Sequence, residues 1–210
     1  MIVQCDFDGT AIINNLSVLL REKFAHSDWR KIELDYFDGK LTVEQSNKLQ
    51  YALIKEPKEK LQAFVRQHIE VRPGFLEFVG YCRDTDIPLV IVSSGLDFYI
   101  EPVLHEMGVP NLELHCGQTS FGKDGVAISY HDAAGNVLTE GFKKYYSTWL
   151  KQRGQNLVYL GDGLSDLAAA CQADHVFAIG QLPGLLDAKS VPYHTFVDFY
   201  DLVRQLPHLQ

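Results

Sequence analysis

The chain has no long apolar run. No stretch approaches the ~20 consecutive apolar residues of a bilayer-crossing helix, so no membrane partner is expected. It also lacks basic excess: 19 Lys and Arg stand against 27 Asp and Glu, a formal net charge of -8. That balance argues against nucleic acid or an anionic membrane as the main partner. Paired cysteines are missing too. Cys5, Cys82, Cys116 and Cys171 are scattered with no C-x-x-C spacing. They read as reduced, buried thiols of a cytoplasmic protein rather than a disulfide frame or zinc site. The N-terminus shows no basic segment leading into an apolar one, so no export signal is expected. Repeats and low-complexity tracts are absent. What remains is ordinary globular composition, 46% hydrophobic and 22% charged, over 210 residues. That is enough for one good core and one modest second unit.

Between about residues 15 and 70 there is almost no strand signal. "SVLLREKF" has helical spacing. "LTVEQSNKLQYALI" starts with Thr42 and has Gln45 three residues on, a capping-box pattern. "EPKEKLQAFVRQHI" puts Pro57 in the first turn of a further helix. From Arg72 onward the pattern alternates. "FLEFVGYCRDTD" reads as a helix and "IPLVIVSSG" as a fully buried strand. Asp97 is expected to cap the helix that follows. "LELHCGQ" is a weaker strand, and "GVAISYHDAAGNVLTEG" a hairpin turning at Ala134-Gly135-Asn136. "FKKYYSTWLKQRG" reads as a helix ending at Gly154, "NLVYLGDG" and "HVFAIG" as further strands, and "VDFYDLVRQL" as a last helix. Alternating strands and helices predict an α/β fold: a Rossmann-like parallel sheet with helices on both faces.

The polar residues gather at the ends of those strands. Asp6 and Asp8 close the first, in "CDFDGT". Ser93-Ser94-Gly95 closes "PLVIV", and Asp162 and Asp166 follow "NLVYL". Asp8-Gly9 alone could be a hairpin turn. A turn does not explain Asp6, a carboxylate set against a buried strand, which is costly unless paired or holding a cation. In open α/β sheets ligands bind beyond the carboxyl ends of the strands. Asp6, Asp162 and Asp166 would repel one another there, and a hard divalent cation such as Mg²⁺ removes the conflict. Gly95, Gly161 and Gly163 would let backbone N–H groups approach an anion.

"DFDGT", "VIVSSG", a lysine near residue 143 and "GDGLSD" resemble, in order, the four signature motifs of the haloacid dehalogenase superfamily of phosphohydrolases. The resemblance spans residues 1 to about 180. It implies a hydrolase core of residues 1–14 and 71–210 and a small helical cap, residues 15–70, inserted after the first strand, as in the phosphoserine-phosphatase-like branch. It also implies roles. Asp6 would attack phosphorus and form an aspartyl-phosphate. Asp8 would be the acid and later the base. Asp6, Asp162 and the Asp8 carbonyl would hold Mg²⁺, with Asp166 supporting the metal's waters. Ser93, Ser94 and Gly95 would bind the phosphoryl group together with a lysine. Lys143 and Lys144 both stand at that position; the helix pattern turns Lys144 toward solvent and favours Lys143.

An acid at Asp8 suits an alkoxide leaving group, which needs a proton, so phosphatase or phosphotransferase chemistry is implied rather than dehalogenation. The partner implied is a small phosphorylated metabolite, bound by a monomer or homodimer. Phosphoserine phosphatases carry a Glu shortly after the first motif, where this chain has Asn14-Asn15. "SSGLDFYI" and "VPYHTFVDFYDLV" are closer to the methionine-salvage phosphatases, which act on a phosphorylated methylthio-keto-enol. Tyr36, Phe37 and Tyr51 are candidate pocket residues. A phosphoserine-phosphatase-like enzyme, a phosphotransferase, and a catalytically silent phosphometabolite-binding protein remain the alternatives.

Overall fold

The computed structural model describes residues 1–153 and 156–209. In chain order, β1 (Ile2–Cys5) is followed by four helices, α1 (Leu16–Phe24), α2 (Trp29–Phe37), α3 (Val43–Tyr51) and α4 (Lys58–His68). Then come α5 (Phe75–Asp84), β2 (Leu89–Leu96), α6 (Asp97–Glu106), β3 (Glu113–Gly122), β4 (Gly125–His131) and β5 (Val137–Leu138). The last part holds α7 (Phe142–Lys151), β6 (Leu157–Gly161), α8 (Leu164–Ala170), β7 (His175–Ala178), α9 (Leu182–Asp187), β8 (His194–Thr195) and α10 (Phe199–Gln205). None of these helices is long and apolar enough to cross a membrane.

One eight-stranded sheet runs β5-β4-β3-β2-β1-β6-β7-β8. It is parallel from β3 to β8 and antiparallel only at β3-β4-β5. Strand β1 lies in the middle, with Val3 opposite Leu89 on one side and Val158 on the other. The continuous apolar runs of β1, β2 and β6 are buried at every position, as strands covered on both faces should be. Gln4 is the polar exception within β1. Its amide donates to the Lys143 carbonyl at 3.2 Å and accepts from Ser147 at 2.8 Å, both on α7. Successive strand side chains point to opposite faces, so Val3 and Cys5 face away from α7.

Several expectations need correction. Leu96, not Asp97, stands at the N-cap of α6; the Asp97 carboxylate instead accepts from the Thr119 N–H and hydroxyl. The weak strand is longer than expected and turns at Lys123-Asp124 into β4, a hairpin hidden because β3 is half-exposed and polar beyond Gly117. Cys171 is exposed and Cys116 only partly buried, so the thiols are not uniformly interior. Pro57 precedes α4 as its N-cap. The expected helix end at Gly154 lies outside the described residues; α7 runs to Lys151. The capping box at Thr42 and Gln45 is present.

The helices α1–α4 leave and rejoin the sheet through a narrow neck. Ile12 pairs antiparallel with Val71, and Ile13 N–H donates to the Glu70 carbonyl at 2.8 Å. Arg72 braces the turn after β1. Its guanidinium donates to the Thr10 carbonyl at 2.7 Å, the Gly9 carbonyl at 2.6 Å and the Val197 carbonyl at 3.3 Å. Leaving a buried acceptor without its donor costs ~1–3 kcal/mol; of the three carbonyls only that of Thr10 is bonded in a buried position, the Gly9 and Val197 bonds being part-buried. Arg72→Met should therefore lower unfolding stability by roughly 1–3 kcal/mol in urea titration; an unchanged midpoint would show that the turn holds itself.

Candidate active site

The carboxyl end of β1 carries Asp6, whose N–H donates to the Leu160 carbonyl of β6 at 3.0 Å. The chain then turns through Gly9 at φ +78°. A Cβ on Gly9 would collide with the Asp162 carboxylate, so only glycine lets this turn lie against the end of β6. Asp8 points inward as well. One carboxylate oxygen accepts from the Leu16 N–H at 2.8 Å and the other from the Tyr99 hydroxyl at 2.5 Å. Gly95 makes room for that pair: a Cβ there would strike both the Tyr99 hydroxyl and the Asp8 carboxylate.

Lys143, on the first turn of α7, is 3% exposed, whereas its neighbour Lys144 is exposed. Lys143 Nζ lies 2.8 Å from Asp6 Oδ1, 2.7 Å from Asp166 Oδ1 and 3.2 Å from Ser165 Oγ. Burial pulls the lysine toward its neutral form, but Asp166 and Asp6 outweigh burial and raise its pKa. Asp166 is fully buried and fully bonded. Besides Lys143 it accepts from the Tyr159 hydroxyl at 2.6 Å and from the Asp162 and Gly163 N–H groups at 3.0 and 2.9 Å. This corrects the expectation for two glycines. The Gly163 N–H is given to Asp166 rather than held for an anion. Gly161 is small because the Asp166 and Tyr159 side chains pack against its Cα.

Asp6, Asp162 and Asp166 bring carboxylate oxygens within 4.8 Å of one another. Burial raises the Asp6 and Asp162 carboxyls well above their usual range. Lys143 opposes this at Asp6, while the repulsion of Asp166 adds to it at both. Asp8 is raised by burial and held back by the Tyr99 and Leu16 bonds. The donor set is all oxygen, and the negative charge of the three carboxylates exceeds the single ammonium of Lys143. These features fit a hard cation such as Mg²⁺ between Asp6 and Asp162. Asp166, with every acceptor position taken, would act on that site only through its neighbours.

The structure brings Asp6, Asp8, Ser93, Ser94, Lys143 and Asp162 onto one cavity of about 320 Å³, together with Gly95. Asp166 lies behind it. Ser93 Oγ accepts from the Gly95 N–H at 3.1 Å, while Ser94 Oγ is buried with no partner. The far wall comes from the helical segment, including Arg21, Tyr36, Phe37, Val43, Asn47 and Gln50. Tyr51 is not part of it; its hydroxyl is paired with Ser17 beneath the wall.

Four residues of this region went unread in the sequence: Arg21, Glu44, Asn47 and Tyr99. Arg21 left a signal. It follows Ser17 by four residues and precedes Phe24 by three, on the buried stripe of α1. Its guanidinium donates to Ser17 Oγ at 2.7 Å and lies 3.5 Å from Glu33. The other three depend on partners distant in the chain.

Residues 3–170 match the family described as haloacid dehalogenase-like hydrolase. A 2-hydroxy-3-keto-5-methylthiopentenyl-1-phosphate phosphatase of Brevibacillus brevis is 29% identical, covering 100% of this chain and 96% of the relative. A protein of the same name from Bacillus pumilus is also 29% identical, covering 100% and 94%. In fold, the chain is similar to a phosphoserine phosphatase solved with an analogue of its phospho-aspartyl intermediate (TM-score 0.70, 22% identity, covering 100% of this chain and 98% of that one). A substrate-bound phosphoserine phosphatase aligns with TM-score 0.71 at 20% identity, with the same coverage. Family and named relatives together support phosphoric monoester hydrolysis as the class of activity. With the match extending over most of the sequence, the chain belongs to the haloacid dehalogenase-like hydrolases.

Proposed function

We propose that the protein is a Mg²⁺-dependent phosphatase that releases phosphate from a small phosphorylated metabolite through an aspartyl-phosphate at Asp6. The observation that carries this is one cavity lined by Asp6, Asp8, Asp162 and Lys143, with the buried, unpartnered Ser94 Oγ beside them. A buried polar atom without a partner is costly and needs a reason. A phosphoryl group would give Ser94 Oγ a partner, and its cation would offset the excess carboxylate charge.

Asp6 attacks phosphorus as the bond to the leaving oxygen breaks. Asp8, its carboxyl raised by burial, gives that oxygen its proton. Asp8, now ionised, takes a proton from a water that attacks the phosphorus, and the Asp6–phosphorus bond breaks to free phosphate and Asp6. General acid–base help of this kind contributes ~10²–10⁴-fold. Lys143 neutralises phosphoryl charge, and Ser93 and Ser94 orient its oxygens, with Ser93 Oγ held by the Gly95 N–H. Asp162, Asp6 and the Asp8 carbonyl would hold Mg²⁺, which when bound supplies positive charge to the phosphoryl oxygens. Asp166 fixes Lys143 and the Asp162 backbone. Helices α1–α4 act as the cap that excludes water.

For the substrate, we favour the methylthio-keto-enol phosphate of the methionine-salvage relatives. Their similarity runs the length of the chain, and the wall over the cavity offers apolar Val43 and Phe37 beside neutral polar Asn47 and Gln50. One observation favours phosphoserine instead: Arg21 and Glu33 both line the cavity, 3.5 Å apart, and could meet a carboxylate and an ammonium.

With excess chelator, phosphate release from p-nitrophenyl phosphate should stop and return on adding Mg²⁺, while Ca²⁺, with its larger and looser coordination, should inhibit. Full activity in chelator would remove the metal from the mechanism. Between the two substrates, kcat/KM should be higher for the keto-enol phosphate than for phosphoserine. The reverse order, lost on Arg21→Met, would assign the cavity to the amino acid.

A further inference from the structure

Helix α3 touches both elements that would grip the phosphoryl group, the end of β2 and the start of α7. Glu44, in its first turn, is a carboxyl side chain only 1% exposed, and its Oε1 accepts the Phe142 N–H at 2.8 Å. Phe142 opens α7, and Lys143 is the next residue. The first N–H groups of a helix have no partners within it. Here α7 has no side-chain cap of its own, since Gly141 at φ +68° occupies that position. The cap therefore comes from a residue 98 positions away in sequence. On the same side of α3, Asn47 donates to the Ser94 carbonyl at 2.9 Å, where the Tyr130 hydroxyl also donates at 2.6 Å. Thr42 adds a bond from its hydroxyl to the Thr139 carbonyl at 3.1 Å, just before α7.

We propose that Glu44 is a positioning residue that caps α7 across the domain and thereby sets Lys143 against Asp6. The inference rests on the reading of Lys143 as a phosphate-binding group. A carboxyl at a helix N-terminus both accepts an orphan N–H and complements the helix dipole. Without it the first turn of α7 loses its outside partner. Lys143 sits in that turn, and its Nζ must reach Asp6 and Asp166 together. Misplacement by about 1 Å can cost ~10²-fold in a catalytic site. The arrangement makes the lysine sensitive to the seating of α3, the helix that also lines the cavity through Val43 and Asn47.

Three substitutions separate reach from charge. Glu44→Gln keeps the Oε1 acceptor and loses the charge. Glu44→Asp keeps the charge and shortens the arm by one methylene. Lys143→Met removes the group through which Glu44 acts. Inorganic phosphate, titrated calorimetrically in the presence of Mg²⁺, reads the grip directly. Wild type and Glu44→Gln should bind alike, even where the buried amide lowers Tm. Glu44→Asp should bind about tenfold more weakly, the size of one lost cap. In the Lys143→Met background Glu44→Asp should add nothing, because the two act as one unit. Phosphate binding by Glu44→Asp equal to wild type, or effects that add in the double variant, would overturn the proposal while leaving the site reading intact. A Glu44→Asp chain without a cooperative melt would place Glu44 in the fold alone and overturn it as well. Wild type that fails to bind phosphate at all would instead overturn the site reading on which it rests.

Discussion

Three carboxylates and one ammonium share the buried end of β1, and the structure around them is arranged to hold that charge. Asp6, Asp162 and Asp166 approach within 4.8 Å, and Lys143 bridges Asp6 and Asp166. Removing one partner from such a buried pair costs ~3–5 kcal/mol, because the other is left uncompensated. The lysine is thus a structural requirement before it is a chemical one. Asp166 accepts from four donors. Asp6 and Asp162 are left under-compensated, with carboxyls raised by burial.

The surrounding elements fix this cluster from three directions. The sheet supplies it from the carboxyl ends of β1, β2 and β6. Arg72, at the return of the neck, locks the turn that carries Asp8 by taking the Gly9 and Thr10 carbonyls. From above, α3 meets the Ser94 carbonyl and the start of α7. The helical segment is therefore joined to the sheet at its root and again along α3, where Gly125 also packs closely on the Ala52 and Ile54 carbonyls. A cavity of about 320 Å³ lies between this layer and the sheet edge.

Much of this was legible because it is written in local pattern. Unbroken apolar runs marked β1, β2 and β6, and the carboxylates after β1 and β6 with the serines ending β2 marked one edge of the sheet. The choice of Lys143 over Lys144 followed from helical periodicity, and Thr42 with Gln45 marked the start of α3. The missed features are partnerships across the chain. Tyr99 meets Asp8 from 91 positions away, and Glu44 meets Phe142 from 98. Neither leaves a periodic trace, and a glutamate in a polar helix reads as solvated. Gly161 and Gly163 were misread for a related reason: a glycine after a strand can serve a bound anion or a packed side chain, and here the Asp166 side chain takes the space. Asp97 looked like a helix cap by residue type, but its carboxylate is drawn to Thr119 on the neighbouring strand.

The division of labour between Asp6 and Asp8 is the core of the account, and trapping the intermediate tests it most directly. In Asp8→Asn the nucleophile remains, and p-nitrophenolate leaves with little need of an acid, but no base activates water for the second step. Intact-mass analysis after acid quench should then show one added phosphoryl group on Asp8→Asn and none on Asp6→Asn. Unmodified Asp8→Asn alongside an active wild type, or turnover by Asp6→Asn, would contradict the assignment.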